Sequence, residues 1–301
     1  MSLRVGVAVA AVLLVAACTS KSSDKAPPSA QAPGQRTPVV ALPPPSGALP
    51  PPASASRAPS GALPPPASTP ATAVAAAAPA GPASANNVPA NRWRAVLIAG
   101  DNNSPAFDNG VESFREKLAA RGVQSIRVFS SNPARAAPGQ LATSGNVRGA
   151  IRGLGGDACL AFITSHGEPK GFFLRSDRKF FEPSTMESAL AAGCGNAPTV
   201  VIISACHSGT FMTSELRKPN RIIMTAAARD RTSFGCGATD LYTYYDQCLL
   251  QSFDQVATWR DLTAATRTCV DNLERTRSIK AASDPQNFVG SSVFDLRIPG
   301  R

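Results

Sequence analysis

The stretch PTVVIISACHSGTF, Pro198–Phe211, runs β-branched and aliphatic residues straight into Ser-Ala-Cys-His-Ser-Gly. An apolar run without polar alternation predicts a strand buried on both faces, as parallel sheets require. Its tip departs from that pattern. Cys206 and His207 are reactive residues, and the chain has only two histidines.

Working outward, four more stretches read as strands: RAVLIAG (94–100), QSIRVFS (124–130), DACLAFITSHG (157–167) and RIIMTAA (221–227). Helical patterns lie between them. Val111, Phe114 and Leu118 recur at helical spacing before Gly122, which stops that helix. SGNVRGAIRGLGG (144–156) and EPSTMESALAAG (182–193) predict two more helices, with Pro183 near the start of the second. GFFL (171–174) begins a small hairpin, and helices over about 241–253 and 258–276 close the domain. The glycines of 144–156 carry neither the dinucleotide spacing nor a Gly-Lys-Ser/Thr ending, so no phosphate loop is expected. Continuous apolar strands separated by helices give an α/β fold, a mostly parallel sheet with helices on both faces.

In such sheets the ligand crevice lies at the carboxyl ends of the strands. His166 ends the third strand and Cys206 the fourth, so neighbouring strands would bring both to one rim. His207, adjacent to Cys206, should point away from the thiol. A thiol beside an imidazole suffices for nucleophilic acyl transfer. The glycines beside the reactive residues, Gly167 and Gly209, would let a substrate backbone approach. The N–H groups of Gly167 and Cys206 would serve as an oxyanion hole. No Cys-x-x-Cys or His-Glu-x-x-His is present, and neither metal nor cofactor is expected. On residue pattern alone, Cys206 could equally be an inert buried thiol and His166 a structural histidine.

The N-terminal part is of another kind. MSLRVGVAVAAVLLVAAC (1–18) is an export signal, one basic residue followed by an apolar run too short to span a bilayer. Val15-Ala16-Ala17-Cys18 resembles the bacterial lipobox, which would make Cys18 a lipidated N-terminus; an ordinary secretory peptide is the alternative. Residues 19–90 form a Pro/Ala/Ser-rich tether. Eighteen of the 27 prolines fall in 21–90, without an aromatic residue, and PSGALPPPAS occurs at 45–54 and again at 59–68. Such a segment cannot offset its ordering entropy and is expected to stay unfolded. At ~3 Å per residue it would reach at most about 200 Å from a membrane. The folded domain is 91–301, with 25 Lys/Arg against 19 Asp/Glu. Its charges are scattered and not interleaved with aromatics, so nucleic acid is not an expected partner.

FITSHG, then about forty residues, then VVIISACHSG, then IIMTAAARDRTSFGC, together resemble the legumain family of cysteine peptidases and, more distantly, caspases. The resemblance covers about 94–253 and implies a caspase-like three-layer sandwich. It implies His166 as catalytic histidine, Cys206 as nucleophile, Gly167 as oxyanion donor, and a peptide or protein substrate. Three outcomes stand open: an endopeptidase, a transamidase that passes the acyl group to an amine, and a non-catalytic envelope binding protein. Localisation in the bacterial cell envelope is expected, on the outer membrane if the cell has one, since Thr19 and Ser20 replace the aspartate of inner-membrane retention. With the chain ending at Arg301, no C-terminal pro-domain of the legumain kind is expected.

Two departures bear on specificity. His207 stands where eukaryotic legumains carry an acidic residue, and Asp108 falls near a pocket arginine of the family. Asp108 and Asp246, with Thr232 and Ser233 as small polar wall groups, would favour Arg or Lys before the cut. The alternative for Asp108 is a cap on a helix beginning near Asn109.

Export also places the cysteines in an oxidising compartment. Cys159 and Cys194 lie at the same end of neighbouring parallel strands, which suits a disulfide. Cys236 and Cys248 are the next candidate pair, and reduced core thiols are the alternative.

Overall fold

Six strands form the central sheet of the computed structural model, which describes residues 86–301. The signal segment, Cys18 and the tether up to residue 85 lie outside the described residues. In chain order the strands are β1 (Trp93–Ala99), β2 (Ser125–Ser130), β3 (Ala158–Thr164), β7 (Thr199–Ser204), β8 (Arg221–Thr225) and β9 (Gln286–Val289). Their spatial order is β2-β1-β3-β7-β8-β9. All neighbours are parallel except β8 with β9, an antiparallel edge strand that the sequence pattern did not announce. Residues of β9 are only half-buried. Edge strands need fewer apolar residues, which is why no continuous apolar run marks it.

Helices cover both faces. On one face Leu97, Leu160 and Phe162 pack with Phe107, Phe114, Leu249, Phe253 and Trp259 of α1 (Pro105–Ala120), α4 (Tyr244–Phe253) and α5 (Trp259–Thr276). On the other face Ile98, Ile163 and Ile203 pack with Val147, Ile151, Met186 and Leu190 of α2 (Ser144–Arg152) and α3 (Pro183–Cys194). The result is the expected three-layer α/β sandwich. A small antiparallel sheet, β4 (Gly167–Glu168), β5 (Gly171–Leu174) and β6 (Lys179–Phe181), adds a second strand pair beyond the hairpin that GFFL foretold.

The disulfide Cys159–Cys194 forms as expected, with Cα atoms 6.2 Å apart. It ties the start of β3 to the end of α3, at the edge of the sheet opposite the strand tips. The pairing of Cys236 with Cys248 is corrected, because Cys248 is bonded to Cys269 and joins α4 to α5. Cys269 lies inside α5, one helix over, where an antiparallel helix pair brings residues of distant sequence within disulfide reach.

Candidate active site

His166 follows β3 by two residues, and Cys206 follows β7 by two. These strands are paired in parallel with Thr164 opposite Ser204. The Ser165 N–H prolongs the ladder by donating to the Ser204 carbonyl at 3.0 Å. His166 and Cys206 follow on the same rim, and the next residue, Gly167, packs against the Cys206 carbonyl. Both are buried, His166 to 9% exposure and Cys206 to 1%.

Strand alternation turns Phe162, Thr164 and then His166 toward the α1/α4 layer. There Phe107 of α1 meets the imidazole edge-on, with ring centroids 5.1 Å apart. Phe107 is fully buried, so this contact restrains the ring from one side. Sequence reasoning missed it, because the helix was expected to begin near Asn109, which left Phe107 in the loop before it; the helix begins at Pro105.

The sulfur of Cys206 is met by the loop after β8. The Ser233 N–H donates to Sγ at 3.3 Å, the Cys206 thiol donates to the Ser233 carbonyl at 3.6 Å, and the Ser233 hydroxyl lies 3.7 Å away. The N–H favours a thiolate there, while the carbonyl favours the thiol. Ser233 therefore contacts the Cys206 sulfur, beyond the place in a pocket wall that the sequence suggested. Thr232, the other wall residue, is half-buried beside it.

The glycines work differently from the expectation. A Cβ on Gly167 would overlap the Cys206 carbonyl, and one on Gly209 would overlap the backbone of Ala228 and Arg229. Their missing side chains let the protein's own backbone pack closely at the rim, rather than leaving room for substrate. His207 takes a left-handed conformation, φ +56°. Its N–H donates to the Arg231 carbonyl at 2.8 Å. Its Nδ1 lies 3.0 Å from the Arg229 carbonyl, which can only accept, so Nδ1 carries the proton. The ring is thereby engaged with the loop after β8.

The proposed specificity carboxylates separate. Asp108 lies in the first turn of α1, 8% exposed, and accepts the Ser130 hydroxyl at 2.6 Å. Burial raises its pKa, against that hydrogen bond and the charge of Arg135. It does not cap the helix; Ser104 does, accepting from the Ala106 N–H. Asp246 is a correction. It is fully buried in the first turn of α4 and accepts the Thr164 hydroxyl at 2.6 Å, so it lies behind the rim and cannot line a cleft. The register of the pocket acid was misassigned from a loop that carries no periodic signal. The paired-carboxylate argument for a basic side chain before the cut loses one of its two carboxylates.

Among the described residues, no group of three or more His, Cys, Asp or Glu could hold a metal ion.

A family model described as the Peptidase C13 family matches residues 140–298, a span containing His166, Gly167, Cys206 and Ser233. None of the curated proteins matches the chain. Among solved structures, the chain is similar to caspase-1 from Spodoptera frugiperda at 12% identity and a TM-score of 0.48, over 66% of this chain and 86% of that one.

Proposed function

This chain belongs to the peptidase C13 family, and we propose that it is an endopeptidase of the bacterial cell envelope, anchored by lipid on Cys18. The family makes it a cysteine-type peptidase, with a peptide or protein as substrate. What supports thiol chemistry at this rim is that His166 and Cys206 each follow by two residues the paired ends of β3 and β7, with the Ser233 N–H on the sulfur.

The chemistry follows from those groups. The Cys206 thiolate attacks the carbonyl carbon of the scissile bond, and the carbonyl oxygen takes the negative charge. The N–H groups of Gly167 and Cys206 are the assigned donors for that oxyanion. His166, as imidazolium, protonates the departing amine as the C–N bond breaks, leaving a thioester on Cys206 and a neutral imidazole. The imidazole then takes a proton from water, whose oxygen attacks the thioester. Release of the carboxylic acid restores the thiolate–imidazolium pair.

The test is incubation of the purified domain with a peptide library, with and without an added amine, after labelling of a parallel sample by a thiol-directed covalent probe. Probe attachment at Cys206 and cleavage to free carboxylates are expected. Amide products in preference to acids would make it a transamidase. A domain that neither labels nor cleaves would be a non-catalytic binding protein. The anchor rests on Val15-Ala16-Ala17-Cys18. Among the described residues no helix is long and apolar enough to cross a membrane.

A further inference from the structure

A buried carboxylate sits beneath the reactive pair, and the chemistry above does not use it. Asp246 belongs to the first turn of α4, whose cap is Thr243. Its Oδ2 accepts the Thr164 hydroxyl at 2.6 Å. Its own N–H donates to Thr243 Oγ1 at 3.0 Å. That oxygen lies 3.2 Å from the Ser204 hydroxyl. Thr164 and Ser204 are register partners, the last residues of β3 and β7, two residues before His166 and Cys206 respectively. One helical turn therefore holds both strand tips.

All these side chains are out of solvent: Asp246 and Thr164 at 0% exposure, Ser204 at 1% and Thr243 at 3%. Helix α1 closes the site from above, since a Cβ on Gly110 would come within 2.9 Å of Asp246 Oδ2. The second carboxylate oxygen, Oδ1, is buried without a hydrogen-bond partner. A carboxylate in such a place is costly unless something depends on it. Burial pushes its pKa up to about 6, against the lowering effect of the neighbouring hydroxyls, Thr164 first. A leucine or asparagine of similar size would fill the space without that cost.

We infer that Asp246 is a positioning residue, which fixes the separation of His166 and Cys206 by accepting from the tip of β3 while its own turn holds the tip of β7. This rests on the peptidase reading above, and it is the acceptor oxygen that matters. A misplacement of about 1 Å at a reacting pair can cost on the order of a hundredfold in rate. Substrate contacts lie elsewhere, so the loss belongs in kcat and not in KM.

The experiment compares Asp246→Ala with Asp246→Asn, which keeps an acceptor oxygen for Thr164. Asp246→Ala should lower kcat by about a hundredfold with KM unchanged, and Asp246→Asn should recover most of that loss. Wild-type kcat in the Ala variant, a change confined to KM, or an Asn variant as slow as Ala each overturns the inference. If Asp246→Ala does not fold, Thr164→Val against Thr164→Ser makes the same comparison from the donor side: Val slow and Ser restored is expected, and equal rates overturn it. The iodoacetamide alkylation rate of Cys206 is measured in every variant. Should the wild type cut no peptide, the endopeptidase reading fails, while slower alkylation in Asp246→Ala than in Asp246→Asn still upholds the positioning role and equal rates refute it.

Discussion

The backbone N–H of Ser233 donates to the sulfur of Cys206 across 27 residues of sequence. Because the donor is main chain, Ser233→Ala should leave the alkylation rate of Cys206 near wild type. Ser233→Pro, which deletes the N–H, should slow it at neutral pH and require higher pH for the same rate. A pH profile of alkylation that is identical in the Pro and Ala variants would remove Ser233 from thiolate stabilisation.

Substitution of the pair itself should separate activity from folding. Cys206→Ala should leave no turnover above background, and His166→Ala should lose about 10²–10⁴-fold. Melting temperatures should stay close to wild type, because both residues follow the strand ends. His207 sits at φ +56°, so His207→Gly relieves a left-handed backbone and should hold or raise the melting temperature. Turnover retained in Cys206→Ala would refute the assignment of the nucleophile.

Asp246 should also leave a mark on stability. Its folded pKa, about 6, lies above its unfolded value near 4. The folded state thus binds the extra proton in that window. The stability linked to this group is fully present below about pH 4 and is lost as pH rises through 6. Asp246→Asn should therefore be more stable than wild type at pH 7, by up to about 3 kcal/mol at about 1.4 kcal/mol per pKa unit, and the gap should close toward pH 4. Urea denaturation at pH 4, 5, 6 and 7 reads it directly. A gap that widens as pH falls contradicts the sign.

The disulfides Cys159–Cys194 and Cys248–Cys269 should differ in weight. Loop-closure entropy assigns about 4 kcal/mol to Cys159–Cys194, which spans 35 residues, and about 3 kcal/mol to Cys248–Cys269, which spans 21. Paired Cys→Ser variants should follow that order in melting temperature, while kcat at 25 °C stays near wild type in the variant lacking Cys159–Cys194. A large fall in kcat there, in a folded protein, would contradict the placement of that bond away from the site.

The lipid anchor is checked in cells. Wild-type protein should fractionate with membranes, and Cys18→Ser should release or misprocess it. Wild-type protein found wholly in the soluble fraction would overturn the anchoring proposal.

The fold was legible where burial imposes period and composition. The apolar strands 94–100, 157–167 and 198–206 each appear within a few residues of β1, β3 and β7. The reactive pair was legible because a parallel sheet converts strand ends into a common rim. What failed to show was whatever depends on loops or on partners distant in sequence. Cys269 gives no sign along the chain that it bonds Cys248, since only the packing of α4 on α5 brings them together. Asp246 looked like a pocket acid because the segment 226–243 has no period to fix its register. Phe107 and the Ser233 N–H touch the site through contacts that no local pattern encodes.

The sheet also acts as a spacer between two kinds of sulfur chemistry. Cys194 and Cys206 are only twelve residues apart in sequence, yet β7 carries one from the other by about 20 Å at ~3.3 Å per residue. In the folded protein the sulfur of Cys206 cannot reach the Cys159–Cys194 bond, so the oxidised and the reduced sulfur coexist in one molecule without exchanging. In the unfolded chain nothing separates them, and a twelve-residue loop closes easily. Refolding under oxidant therefore sets a race: β7 must pair with β3 before Cys206 is captured by Cys194, and a chain that loses this race holds a cross-link in place of the free thiol. Refolding under a thiol-exchange buffer, rather than under oxidant alone, is the condition that lets such chains return.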